Sequence, residues 1–308
     1  MRALVTGACG FVGRHLIEHL LECGDEVFGC DYTVPAEAPA CPLEQFDITS
    51  GEECAEKIRR IKPDIIYHLA GVSFVPEAED DFKKALLANV LGTNHIFRIC
   101  HLLQSATKVV FISSAEVYGK IAPHELPVTE SQPISPANNY SLSKAMAELV
   151  AKRYGELGQV PYVIARPFNH IGPGQNERFV ASSFALQLAR VVKGKAPPVI
   201  NVGNLEARRD FSDVRDIVRA YRLAALKGSG AYNLGSGRSV PIREILDCLV
   251  LISKANVEIR EDPSRMRAAE VPEIYGSFSR AQRELGWKPQ HSLQETLKDV
   301  YNWWLSRI

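Results

Sequence analysis

The sequence predicts an α/β protein built on a doubly wound parallel sheet, with a smaller C-terminal α/β part for binding substrate. Three observations carry this. Short apolar runs alternate with stretches of helical periodicity through the first half of the chain, the first run leads into a glycine-rich turn and a helix, and beyond Pro167 the alternation loosens. Strands that alternate with helices are buried on both faces, as in a parallel sheet.

The elements follow in order. The chain opens M-R-A-L-V-T, then Gly7, Gly10 and Gly13, then apolar residues at helical spacing. A second apolar run begins at Glu26 and ends at Asp31, and Asp64 to Gly71 reads as a buried strand. Phe82 to Gln104 shows long helical periodicity, Lys108 to Ser114 holds another buried strand, Tyr140 to Tyr154 is a helix, and Tyr162 to Pro167 is a strand stopped by proline. This predicts a dinucleotide-binding Rossmann domain over residues 1–167, to which 208–227 returns. Residues 168–207 and 228–308 are expected to form the smaller substrate domain, rich in glycine and proline.

Gly7-x-x-Gly-x-x-Gly is the turn of a strand–turn–helix unit. Glycines let the backbone approach a pyrophosphate, whose charge rests on the first amides of the helix opened by Phe11 and Val12. The first gap is one residue longer than in the common dinucleotide fingerprint. Asp31 lies 18 residues past Gly13, where a carboxylate meets an adenosine ribose 2'-hydroxyl and repels a 2'-phosphate. Ligands of an open sheet gather at the carboxyl ends of its strands, and the Gly7 turn, Ser113-Ser114 and Asn169 all fall there.

Tyr140 and Lys144, four residues apart at the opening of a helix, project from one face. A nearby ammonium is expected to favour the phenolate and lower the tyrosine pKa toward neutrality. Ser114, at the end of a strand, is placed to join Tyr140 on one substrate oxygen and polarise a carbonyl.

Composition excludes several classes. With 36 basic and 36 acidic residues in 308 the formal charge is zero, so there is no general electrostatic case for nucleic acid or an anionic membrane. No apolar run reaches transmembrane length and no signal peptide is seen, which makes the cytoplasm the expected location. Seven cysteines without a Cys-x-x-Cys pair suggest neither a disulfide framework nor a metal site.

Together the glycine turn, Asp31, Asp47-Ile48, His68-Leu-Ala-Gly71, Ser114 and Tyr140-x-x-x-Lys144 resemble the extended short-chain dehydrogenases that act on nucleotide sugars. R-P-F-N-H-I-G-P-G-Q from Arg166, R-R-D-F-S-D-V-R-D from Arg208, R-A-A-E-V-P-E-I-Y-G from Arg267, and L-G-W from Leu285 look most like the GDP-4-keto-6-deoxy-D-mannose reductases, relatives of GDP-mannose 4,6-dehydratases. The resemblance implies reduction of a 4-keto group to give GDP-D-rhamnose, with NADH or NADPH as cofactor and a GDP-sugar as substrate. It implies cofactor contacts at Asp47, Ile48, Leu69, Ala70, Gly71, Asn89, Tyr140, Lys144 and Pro167, and substrate contacts at Ser114, Glu116, Asn169, Arg209, Arg267 and Glu270. A guanidinium fork matches phosphate oxygens, which suits the two arginines to a pyrophosphate.

One departure bears on the reaction. Dehydratases of the superfamily resemble one another in carrying an acid or serine where this chain has Ala115, between Ser114 and Glu116. Ala115 supplies neither proton nor hydrogen bond, so Glu116 remains as an auxiliary group. A dehydratase or 4-epimerase of the same fold, and a non-catalytic dinucleotide-binding redox sensor, are the alternatives. The helices around Leu86, Leu87, Val90, Ile96 and Ile99 are apolar on more than one stripe; relatives pair them in a four-helix contact, which implies a homodimer.

Overall fold

The computed structural model describes residues 1–104, 106–158, 160–266 and 271–308. Seven strands form its central sheet, in the order Gly230–Leu234, Tyr162–Pro167, Lys108–Ile112, Ile65–His68, Arg2–Thr6, Glu26–Asp31 and Leu43–Gln45. Every neighbouring pair is parallel. From Arg2–Thr6 the chain runs outward to Glu26–Asp31 and Leu43–Gln45, then crosses back to Ile65–His68 on the other side. This reversal opens a crevice at the carboxyl ends of the strands.

Alternate residues of one strand feed opposite cores. Ala3 and Val5 lie in a cluster with Leu16, Ile17 and Leu20 of helix Phe11–Glu22 and Ile217 and Tyr221 of helix Val214–Lys227. Leu4 between them joins Cys54 and Ile58 of helix Gly51–Ile61, Phe97 and Cys100 of helix Gly92–Leu102, and Ala147 and Ala151 of helix Asn139–Glu156. A third cluster unites helices Val180–Val192, Ile242–Ser253 and Leu293–Leu305 and forms the core of the smaller part. Among the described residues no helix is long and apolar enough to cross a membrane.

Three expectations change. Strand Gly230–Leu234, which the sequence reading assigned to the smaller part, pairs with Tyr162–Pro167 at the edge of the large sheet. Ala281, Leu285 and Trp287 also pack into the large-sheet cluster, so the return to it continues beyond residue 227. Third, the periodic stretch 82–104 is not one α-helix. Phe82–Ala85 and Gly92–Leu102 are α-helical, but Leu86–Leu91 forms a π-turn. There the Asn89 side chain accepts from the Val72 amide at 2.8 Å and donates to the Val72 carbonyl at 3.1 Å and to Ser143 Oγ at 2.8 Å. A π-turn changes the helical register locally, a common device near functional sites.

The helix that carries Tyr140 is held at its start and at its middle. Asn138 caps its start by accepting from the Ser141 amide at 2.8 Å. Farther along, Glu148 is fully buried and receives Arg166 Nε at 2.9 Å, Arg166 Nη2 at 2.6 Å and Ser113 Oγ at 2.6 Å. Arg166 also donates to Tyr118, whose hydroxyl donates to Asn233. One helix and three neighbouring strands are thereby joined through side chains that have left water. Removing one partner strands the other charge, so Glu148→Ala should cost about 3–5 kcal/mol of stability in urea denaturation. Lys152→Ala, which removes only the 3.9 Å surface contact to the same carboxylate, should change stability by less than about 0.5 kcal/mol.

Candidate active site

A cleft of about 1830 Å³ lies across the carboxyl ends of the strands and is shared by both parts of the chain. Its first wall is the glycine turn. Gly7 has φ 72°, and a Cβ there would stand 2.9 Å from the Ala70 amide nitrogen; a Cβ at Gly13 would stand 2.2 Å from the Gly7 carbonyl oxygen. Only glycine lets the strand end and the helix meet this closely. Gly10 caps the helix without a side chain and its first turn holds no acid, so the positive helix end at Phe11 and Val12 is left for an anion. These features fit a dinucleotide pyrophosphate.

Asp31 ends its strand beside the turn, taking the Cys9 amide on one oxygen and the Tyr32 amide on the other, each at 2.8 Å. Asp47 holds the Thr49 amide and hydroxyl, both at 2.8 Å, and Ile48 packs against Gly92, where a Cβ would come within 3.0 Å. Asp31, Asp47 and Ile48 line the cleft, as do Leu69, Ala70 and Gly71. Below them His68 is buried between Thr6 Oγ1 at 2.8 Å and Thr93 Oγ1 at 3.0 Å. Burial, with the Lys144 charge, pushes its pKa down to about 3, so this imidazole is neutral and structural.

Ser114, Tyr140 and Lys144 meet across the floor. Ser114 lies near enough to the Tyr140 hydroxyl to affect its pKa, and its Oγ accepts the Glu116 amide at 3.2 Å. Lys144 Nζ donates to the Ile112 carbonyl at 2.9 Å and lies 5.3 Å from the Phe111 ring centre. The expected lowering of the Tyr140 pKa is absent. Burial pushes the phenol up to about 12, the Ser114 side chain opposes this, and the nearby Glu116 carboxylate adds to it. Lys144 is drawn down to about 8, again by burial, with Glu148 opposing. Both groups have lost water, and desolvation disfavours whichever form is charged. Tyr140 is therefore a protonated donor at neutral pH.

On the opposite side the cleft is lined by Pro167, Asn169, His170 and Arg209. His170 stacks on Phe11 at 6.2 Å and bonds the Phe168 carbonyl at 3.0 Å; burial lowers its pKa. Arg209 donates to the Arg208 carbonyl at 2.8 Å. Asn89 does not line the cleft: its amide is spent on Val72 and Ser143, where it fixes the loop after Gly71 against the Lys144 helix. Arg267 and Glu270 lie outside the described residues. Sequence reasoning missed Arg178, which spans the cleft mouth over the Phe74 ring at 4.6 Å and reaches Glu77 at 3.4 Å. No local pattern marks a pair 101 positions apart. Among the described residues no cluster could hold a metal ion.

A glycine turn on a parallel sheet, with Ser114, Tyr140 and Lys144 at its mouth, defines a short-chain dehydrogenase of the extended, nucleotide-sugar type. The family model for GDP-mannose 4,6 dehydratase matches residues 4–300, and the chain belongs to that family. It is 36% identical to GDP-6-deoxy-D-mannose reductase of Pseudomonas aeruginosa, covering 100% of this chain and 98% of the other. It is 31% identical to a "Putative UDP-glucose 4-epimerase" of Methanocaldococcus jannaschii, with 97% of each covered. The structure of RMD from Pseudomonas aeruginosa complexed with NADPH superposes with a TM-score of 0.88 at 33% identity over 100% of both chains.

The Lys144 pKa has a measurable sign. Folded Lys144 titrates near pH 8 and unfolded lysine near 10.5, so between these values the unfolded chain holds more protons and stability rises with pH. The cost of the buried ammonium is full below about pH 8 and gone above about 10.5. Urea midpoints at pH 8 and pH 10 should show that Lys144→Met reduces this rise relative to the unmutated protein. An identical rise in both would contradict the assignment.

Proposed function

We propose that the protein reduces the C4 keto group of GDP-4-keto-6-deoxy-D-mannose to give GDP-D-rhamnose, using NADH or NADPH. The carrying observation is the protonated Tyr140, lining the cleft together with Ser114 and the glycine turn, with Ala115 beside them. Ser114 and Tyr140 offer two hydroxyls to one carbonyl oxygen. Tyr140 gives its proton to that oxygen as negative charge develops, the usual work of a general acid. The residues that would hold the nicotinamide cofactor are Gly7, Gly10, Phe11, Val12 and Gly13 at the pyrophosphate, Asp31 at the adenosine ribose, and Tyr140 and Lys144 at the nicotinamide ribose. When bound it supplies the hydride. Glu116, close enough to Tyr140 to raise its pKa, is placed to accept from a substrate hydroxyl. Asn169, Arg209, Arg267 and Glu270 take the nucleotide sugar.

Ala115 argues against dehydration, which needs an acid to help a hydroxyl leave. Its methyl group lies in an apolar cluster with Val117, Tyr118, Val128, Ala145, Phe168 and Ile274. Similarity to the GDP-6-deoxy-D-mannose reductase over the full chain supports the same choice. Absorbance at 340 nm checks it: offered the 4-keto-6-deoxy sugar, the protein should consume NADH or NADPH in equal amount. Tyr140→Phe should still bind the cofactor, weakened by no more than one ribose hydrogen bond, and lose at least about two orders of magnitude in turnover. Near-normal turnover in that variant would sink the assignment of the proton donor.

The same chain is proposed to work as a homodimer. Ile96 and Ile99 turn into the core, but Leu87 and Leu91 on one helical segment and Leu142, Met146 and Leu149 on its neighbour are exposed. Helix Asn139–Glu156 packs against both the π-turn and Gly92–Leu102, so these side chains belong to adjoining surfaces. Sedimentation at micromolar concentration should give twice the chain mass of 34.1 kDa; a monomer would contradict it.

A further inference from the structure

One buried polar group on the cleft has no work in the mechanism above. Tyr221, on helix Val214–Lys227, is fully buried, and its hydroxyl has no hydrogen-bond partner among the described residues. Its ring lies in the cluster with Val5, Val110 and Ala165, residues of three strands of the central sheet. At the same time Tyr221 is one of the residues lining the cleft, together with Thr6, Gly7, Ser113 and Tyr140. A buried hydroxyl left unpaired is costly, and such groups normally find a protein partner, a water or a ligand.

The ligand chemistry at this spot is narrow. Between the glycine turn, which takes the pyrophosphate, and the Ser114–Tyr140 pair, which takes the carbonyl, the dinucleotide must lay down its nicotinamide ring. The ribose hydroxyls are claimed by Tyr140 and Lys144, and the ring has one polar substituent, the carboxamide. We propose that the Tyr221 hydroxyl donates its hydrogen bond to the carboxamide oxygen of the bound nicotinamide and so sets which way the ring faces. Burial and the neighbouring Tyr140 raise the Tyr221 pKa, so the phenol keeps its proton to donate. Tyr221 is thus a positioning residue for the cofactor, reached from the helix on the far side of the sheet from the Tyr140 helix.

This inference rests on the nicotinamide-dependent reading above, and binding separates the two. Calorimetric titrations of the unmutated protein and Tyr221→Phe would use NADH, NADPH and ADP-ribose, which lacks the nicotinamide. Tyr221→Phe should bind the preferred reduced dinucleotide about tenfold more weakly and ADP-ribose unchanged, the scale of one hydrogen bond left unmade. With the thionicotinamide analogue, whose sulfur is a poor acceptor, the same substitution should change affinity by less than about twofold. Unchanged NADH and NADPH affinity in Tyr221→Phe overturns this inference alone, as does an equal loss for ADP-ribose, which would mark a structural role. If the unmutated protein binds no dinucleotide, the inference falls together with the reductase reading.

Discussion

The buried pair of Glu148 and Arg166 is the constraint on which the site depends. Glu148 lies one turn beyond Lys144 on the helix that begins at Asn139, Arg166 is in the strand that ends at Pro167, and Ser113, just past the end of the neighbouring strand Lys108–Ile112, closes the group. These contacts fix helix, strand ends and serine turn relative to one another, so the separation of Ser114 from Tyr140 is set by side chains outside the reacting group. A buried ion pair adds little net stability against a well-packed apolar alternative, because desolvation consumes most of the attraction. Its contribution here is to register: one helix position and one strand position satisfy both groups.

Burial also sets the chemistry. The same loss of water raises Tyr140, lowers Lys144 and lowers His68. The floor of the cleft is consequently a neutral phenol and an ammonium that titrates near pH 8, with a neutral imidazole buried beneath. A protonated phenol suits a reaction in which an oxygen gains charge. The lysine that sequence spacing assigns to phenolate formation instead anchors on the Ile112 carbonyl. Backbone geometry at a strand end decided that contact, and the Tyr-x-x-x-Lys spacing carries no record of it.

Much of the site was legible because its signals are local. The glycine turn, Asp31 and the Tyr140–Lys144 spacing each sit within one strand–turn–helix unit or one helical turn, where sequence distance and spatial distance agree. The strands of the central sheet were legible as apolar runs, except Leu43–Gln45, only three residues long, and Gly230–Leu234, whose short G-A-Y-N-L is bounded by glycines and reads as loop. The π-turn escaped because it changes helical phase while leaving the apolar content alone. Asn89, which the resemblance puts among the cofactor contacts, spends its side chain on the protein: both ends of its amide are satisfied by Val72 and Ser143. Tyr221 was invisible for the opposite reason, since an aromatic residue at helical spacing reads as core, and only the structure sets it at the cleft with its hydroxyl unpartnered.

The central claim is that this cleft delivers hydride to a sugar carbon while Tyr140 protonates the oxygen. The most direct measurement is isotopic. NADH or NADPH bearing deuterium at the transferring position of the nicotinamide is supplied with GDP-4-keto-6-deoxy-D-mannose, and the product is read by mass spectrometry and by proton NMR at C4. The account predicts a GDP-6-deoxyhexose with one deuterium at C4, formed in step with cofactor oxidation. A product formed without deuterium at C4, or cofactor left unoxidised while the sugar changes, would contradict it.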